Sequence, residues 1–311
     1  TLVGWKISGL QPSIPTLDRS FWLECGEIVR SGFPFLSWQI TLAVYGGIDR
    51  LLLGAMVPVD EVGWYAAAYR IIGMTVFLPT LVVNPLFPAL SRSLDEPETL
   101  RRTIAQTMRV LLVVMGGLAS ASIAVAPGIP RLLGWPADFE GAVPLMFVLA
   151  LHLPVVAVDM VLGVVLMAIH REQRLVFVGL GAVVFNVAAN LVCIPLFQQA
   201  AGNGAMGSAV VTVLTELFMC AGAVVLIPKH LLDVSVIWVA GRLVLAGLAG
   251  IIAGFTALSI LGTGLLFLPL ALAGAGFAAV LAFAAVAVVL RAVVAADVRS
   301  FALRLAHRSA S

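Results

Sequence analysis

VPLMFVLALHLPVVAVDMVLGVVLMAI (143–169), HREQR (170–174) and LVFVGLGAVVFNVAANLVCIPLF (175–197) decide the fold of this chain. A helix needs about 20 mostly apolar residues to cross the hydrocarbon core of a bilayer, and both long runs exceed that. The turn between them is short and basic. Loops on the cytoplasmic side of membrane proteins keep an excess of Lys and Arg, so the three segments read as a membrane hairpin whose turn, with Arg171 and Arg174, lies inside. A membrane barrel would show alternating segments of about 10 residues, a pattern this sequence lacks.

The same grammar extends in both directions. With 61% hydrophobic residues, 11% charged residues and a mean hydropathy of +1.10, the chain has too little polar surface to cover a soluble globule of 311 residues. Eight spans are expected: 33–57, 63–90, 110–126, 143–169, 175–197, 205–227, 236–261 and 265–290. Of the 18 Lys and Arg, fifteen fall in every second gap, as Lys6, Arg19 and Arg30; Arg92, Arg101, Arg102 and Arg109; Arg171 and Arg174; Lys229 and Arg242; and Arg291, Arg299, Arg304 and Arg308. Arg131 alone marks the intervening gaps. Both termini are therefore expected in the cytoplasm, and the whole reads as an all-α membrane protein of eight transmembrane helices.

Four regions follow: an amphipathic linker on the inner membrane surface (1–32), a six-helix lobe (33–227), two additional membrane helices (228–290) and a basic cytoplasmic tail (291–311). The opening on Thr1, without a secretory signal, reads as a fragment or a processed product. The net charge of +2 follows from the loop bias and gives no reason to invoke nucleic acid. Cys25, Cys193 and Cys220 are widely spaced and offer neither a disulfide framework nor a metal-ligand pattern. Because the polar loops also lack a phosphate-binding glycine loop, a zinc cluster and a nucleophile motif, the expectation is a chain without catalytic residues, metal or cofactor.

Ionisable side chains at membrane depth are the functional candidates, since an unpaired charge there costs about 2.5 to 3.5 kcal/mol on insertion scales. Asp49, Arg50 and Arg70 lie in the first two spans, about 10 to 14 Å beneath the outer surface at 1.5 Å per residue. The five-residue gap between those spans predicts antiparallel neighbours, so that Asp49 or Arg50 meets Arg70 at one level. Asp49 with Arg70 reads either as an ion pair locking two helices or as the wall of a polar cavity. In the second reading Asp49 neutralises one arginine and leaves the other free for an anion such as phosphate, which arginine grips with its planar fork. Asp159 and Glu216 are the other deep acids, read as structural hydrogen bonders or as participants in ion coupling. His152 reads as a packed histidine, and Asn186 and Asn190 as a polar edge between helices. Pro79, Pro85 and Pro88 loosen the second span, either as a gate or as an ordinary membrane-helix bend.

The run GGIDRLLLGAMVPVDEVGWYAAAYRI (46–71), continuing through LPTLVVNPLFPALSR (78–92), resembles the seventh and eighth helices of the oligosaccharide-lipid flippases in the multidrug, oligosaccharidyl-lipid and polysaccharide exporter superfamily. RLLGWPADFEGAVPLMFVLAL (131–151) is similar to that family's outer loop and tenth helix, and NVAANLVCIPLF (186–197) with GNGAMGSAVVTVLTEL (202–217) to its eleventh and twelfth. The resemblance spans Gly32 to Ile227; the last two spans match only in number, as helices some members add.

The resemblance implies two pseudo-equivalent six-helix lobes around a cavity that opens alternately to each side, with this chain as the C-terminal lobe and the N-terminal lobe missing. It implies a bacterial inner-membrane protein that moves a polyprenyl-diphosphate-linked oligosaccharide, among membrane lipids and without covalent chemistry. In the related lipid II flippases the arginine preceding the proline of the eighth helix lines the cavity, and Arg70 occupies the matching place. Arg70 and Arg50 are then expected to hold the diphosphate, Asp49 to tune them, and Asp159 or Glu216 to couple an ion. The rivals are a drug/cation antiporter of the same superfamily, whose cavity would be acidic, a membrane glycan polymerase or glycosyltransferase, and a scaffold that transports nothing. The enzyme reading needs catalytic groups in a sizeable outer loop, and the largest one has only Arg131, Asp138 and Glu140 as charges.

Overall fold

Apolar runs without water to satisfy their backbone must satisfy it internally, and helices do so within one segment. The structure, a computed structural model, describes residues 19–262, 264 and 267–291, and no strand occurs among them. Its longer helices are α1 (Arg19–Met56), α2 (Val59–Gly73), α3 (Phe77–Ser91), α4 (Pro97–Val125), α5 (Ala142–Ala168), α6 (Glu172–Ala201), α7 (Gly204–Leu226), α8 (Ser235–Leu261) and α9 (Leu268–Val289). Seven segments are long and apolar enough to cross a membrane, with α2 and α3 together making one of them (Val59–Ser91). The eighth expected span is α1, which carries the consecutive charges Asp49 and Arg50 and lies along α6. The expected linker falls partly outside the described residues, as does the basic tail beyond Arg291. Where the linker is described, from Arg19 onward, it is no separate surface helix: α1 runs unbroken for 38 residues, about 57 Å.

At the centre of the bundle stands α5, in contact with α2, α3, α4 and α7. Leu145, Met146, Leu149, Leu153, Val161, Leu162, Val165 and Leu166 are all buried on it. A helix buried on most sides needs little polarity, which explains its near-continuous apolar sequence. The α6–α7 hairpin packs closely because small residues line it. A side chain at Gly207 would put its Cβ 2.4 Å from the Cys193 carbonyl oxygen. The turn is built by Gly202, whose left-handed backbone (φ 62°) ends α6, and by Asn203, whose side chain accepts the Met206 N–H at 3.0 Å to cap α7. Small residues also join α8 and α9 to α4: Cβ atoms at Gly250 and Gly254 would collide with Ala279 O and with Ala124 Cβ.

The first hairpin departs from expectation. Helices α1 and α2 touch little; α1 lies mainly on α6, with Trp38 and Thr41 over Gly179, whereas α2 leans on α5. The short Val57–Pro58 link fixes only the ends it joins, and the stronger apolar contacts with α6 and α5 pull the rest apart. Helix α7 touches both of them. At the start of α2 the buried Glu61 carboxylate accepts the backbone N–H groups of Gly204 (2.7 Å) and Ala205 (3.3 Å), satisfying donors that open α7.

The second span breaks where proline chemistry requires it. A 3₁₀ turn at Met74–Val76 separates α2 from α3, just before Pro79 removes the N–H that would bond to Thr75. The Thr75 hydroxyl donates to Ile72 O (2.6 Å) and the Thr80 hydroxyl to Phe77 O (2.5 Å), so side chains occupy carbonyls around the break.

Candidate functional site: a polar core behind two exposed arginines

Asp49 faces inward from α1 and is buried. Its Oδ2 accepts the Tyr65 hydroxyl of α2 (3.0 Å) and lies 3.1 Å from Thr212 Oγ1 of α7; its Oδ1 accepts Asn190 Nδ2 of α6 (3.0 Å). Asn190 Nδ2 also reaches Asn186 Oδ1 (3.0 Å), and Asn186 donates to Thr215 (3.3 Å). The expected pairing of Asp49 with an arginine is therefore corrected: three other helices supply its partners, and neutral donors take the place of a guanidinium. The splay of α1 from α2 is the physical reason, since it leaves room for α6 and α7 to reach the carboxylate first. Two oxygens beside this group, Asn190 Oδ1 and Ser208 Oγ, are sealed without a hydrogen-bond partner.

One turn further along α7, Glu216 Oε1 accepts the Tyr45 hydroxyl of α1 (2.9 Å) and lies 3.4 Å from His152 Nε2 of α5. Its Oε2 is sealed without a partner. Asp159 lies two turns along α5 from His152, which itself stands beside Glu216. The structure thus brings together the two acids read as candidates for ion coupling, with a histidine and a tyrosine between helices. No group of three His, Cys, Asp or Glu among the described residues converges as metal ligands would.

Arg50 and Arg70 point the other way, and both are exposed. Arg50 donates to the Gly46 carbonyl (2.8 Å) and its guanidinium lies 5.9 Å from the centroid of the Tyr69 ring. Tyr69 in turn stacks on Tyr65 (5.9 Å, 25°), so an aromatic pair bridges the buried acid and the outer cation. Arg70, next to Tyr69, makes no hydrogen bond or ion pair with any described residue. Neither cation is neutralised by Asp49, so both guanidiniums stay exposed, where the cavity reading of Asp49 had left only one of them free.

A family of polysaccharide biosynthesis proteins matches residues 19–136, the part of the chain that holds Asp49, Arg50 and Arg70. The probable flippase AglR of Haloferax volcanii is 28% identical over 189 residues, covering 60% of this chain and 38% of AglR. The structure of the lipid II flippase MurJ in an inward closed conformation superposes with a TM-score of 0.66 at 12% identity, over 90% of this chain and 57% of MurJ. The fold matches that of a lipid flippase. The chain spans less than two thirds of either protein's length.

Tyr45, Tyr65 and Tyr69 escaped the sequence reading, because a tyrosine in an apolar helix looks like packing. A signal was present. Tyr45 precedes Asp49 by four residues and Tyr65 precedes Tyr69 by four, which places each pair on one helical face.

Proposed function

We propose that this chain is the C-terminal lobe of a flippase that moves a polyprenyl-diphosphate-linked oligosaccharide across a bacterial inner membrane by alternating access, with no covalent step. One observation carries the reading: Arg50 and Arg70, on the consecutive helices α1 and α2, are both exposed with no carboxylate partner among the described residues. Uncompensated cations at membrane depth are costly unless they face water or an anion. A diphosphate supplies the anion, and the planar fork of arginine suits its oxygens. The match to polysaccharide biosynthesis proteins and the likeness to two named flippases support the same substrate class.

In this reading residues 33–227 form the transport lobe, the helices within 228–290 are an added pair, and a second lobe closes over α1 to α3. Asp49 acts as a buried strut that fixes α1 against α2, α6 and α7, and only through Tyr65 and Tyr69 does it bear on the arginines. Asp159 and Glu216 serve ion coupling. The antiporter reading has less support, because Asp49 and Glu216 are buried in hydrogen-bonded networks rather than open to a cation.

Binding of a short-chain polyprenyl diphosphate to the reconstituted chain tests the site. Arg50→Ala with Arg70→Ala should weaken it by at least about tenfold, as expected for two charge-assisted contacts. In the producing cell, Arg70→Ala should abolish surface polysaccharide while leaving the protein in the membrane. Full export by that variant would refute the role of Arg70.

A further inference from the structure

Away from the arginine face, a cleft of about 370 Å³ opens between the basic ends of α6 and α7, lined by Arg174, Phe177, Val178, Phe218, Gly222 and Leu226. Its shape follows from the sequence. Gly222 brings the helices together, since a Cβ there would lie 2.7 Å from Val178 Cγ1. Phe185 stacks flat on the lining residue Phe218 (5.2 Å, 6°). From Leu226 to Phe218 the cleft is about 12 Å long, the depth of part of one leaflet.

Arg174 stands at the mouth, exposed and without a hydrogen bond or ion pair to any described residue. Arg171, three residues earlier, donates to the Leu226 carbonyl and ties the start of α6 to the end of α7; it lines a separate pocket and leaves Arg174 as the cation of this cleft. Glu172 is the one acid of the turn. An apolar slot capped by one cation, beside a basic turn of a membrane protein, matches an anionic headgroup with its acyl chain attached.

We propose that this cleft binds one anionic glycerophospholipid of the inner leaflet, its phosphate on Arg174 and one acyl chain against Phe177 and Phe218. The short cleft and its single unpartnered cation fit a phosphodiester with an ordinary acyl chain. A long polyprenyl diphosphate would need a deeper channel and more charge. The site is independent of the transport reading and stands or falls separately.

Native mass spectrometry of the delipidated 311-residue chain, titrated with phosphatidylglycerol and with phosphatidylcholine of the same acyl chains, measures the preference. Phosphatidylglycerol should be retained about fivefold better, the contribution of one cation near an anionic lipid. Arg174→Gln should erase that preference and Arg174→Lys should restore most of it. A photoactivatable phosphatidylglycerol should label Phe177 or Phe218 in the unaltered chain, a readout that needs no variant to fold. Equal retention of the two lipids, an unchanged preference in Arg174→Gln, labelling confined to other helices, displacement by inorganic phosphate, or stronger retention of a polyprenyl phosphate would each overturn the proposal.

Discussion

Asp49 and Arg50 are consecutive, and the 100° between successive helical side chains sends the acid into the protein and the base out of it. That division was legible in the sequence only as a choice; which residue turned inward depended on α6 and α7, whose polar residues lie about 140 to 160 positions later. Asp49→Ala removes the acceptor shared by Tyr65, Thr212 and Asn190, leaving them only their second partners (Thr212 Oγ1, Ser208 O and Asn186 Oδ1), and should lower stability by about 1 to 3 kcal/mol in reversible unfolding from mixed micelles. Asp49→Asn keeps the shape and should cost less. Glu216→Gln makes a different cut, because it keeps an acceptor for Tyr45 while removing the acid beside His152 and Asp159. If Glu216 serves coupling, translocation in proteoliposomes should fall at least about tenfold, with diphosphate binding at Arg50 and Arg70 unchanged. Equal loss of binding and transport would mark it as structural.

Helix α2 and helix α3 read as one apolar stretch with three prolines, and the break falls before the first of them. Pro79→Ala returns the missing donor to Thr75 and should straighten the element, raising thermal stability slightly while slowing transport; faster transport would deny the break a role in motion. Tight packing is tested at Gly207, where a valine must displace the backbone of α6 and should cost about 1 to 3 kcal/mol. The loop before α8 has an electrostatic lock. Asp233 accepts the Ser235 N–H (2.9 Å) and hydroxyl (2.5 Å) and the Arg109 guanidinium (3.2 Å). The hydrogen bonds from Ser235, with Arg109 adding to them, hold its carboxyl below the usual range. A depressed carboxylate contributes its stability above the unfolded value of about 3.9 and loses it as pH falls through the lower folded value. The stability gap between the unaltered chain and Asp233→Asn should thus be flat from about pH 7 to 5 and close below about pH 4.

For the molecule as a whole, hydropathy and loop charge made the spans legible, because each is a local property of 20 or so residues. Neighbour relations were not. The short Val57–Pro58 link gave every local reason to pair α1 with α2, yet the apolar faces of α6 and α5 compete for them over their full length. The polar core was hidden for the same reason: its members come from five helices, and only their convergence distinguishes a tyrosine in the network from a tyrosine in a core. Glu61 carries a consequence for biogenesis. Its partners, the opening amides of α7, lie 143 and 144 residues downstream, so the ribosome delivers α1 and α2 to the bilayer long before anything can receive their acids. The early hairpin should therefore wait at the insertion machinery, half settled, until the α6–α7 pair emerges. Arrested chains ending near residue 190 should leave an engineered glycan acceptor beside residue 60 variably exposed, and chains ending past 240 should fix it on one side; uniform placement at both lengths would mean the hairpin commits unaided.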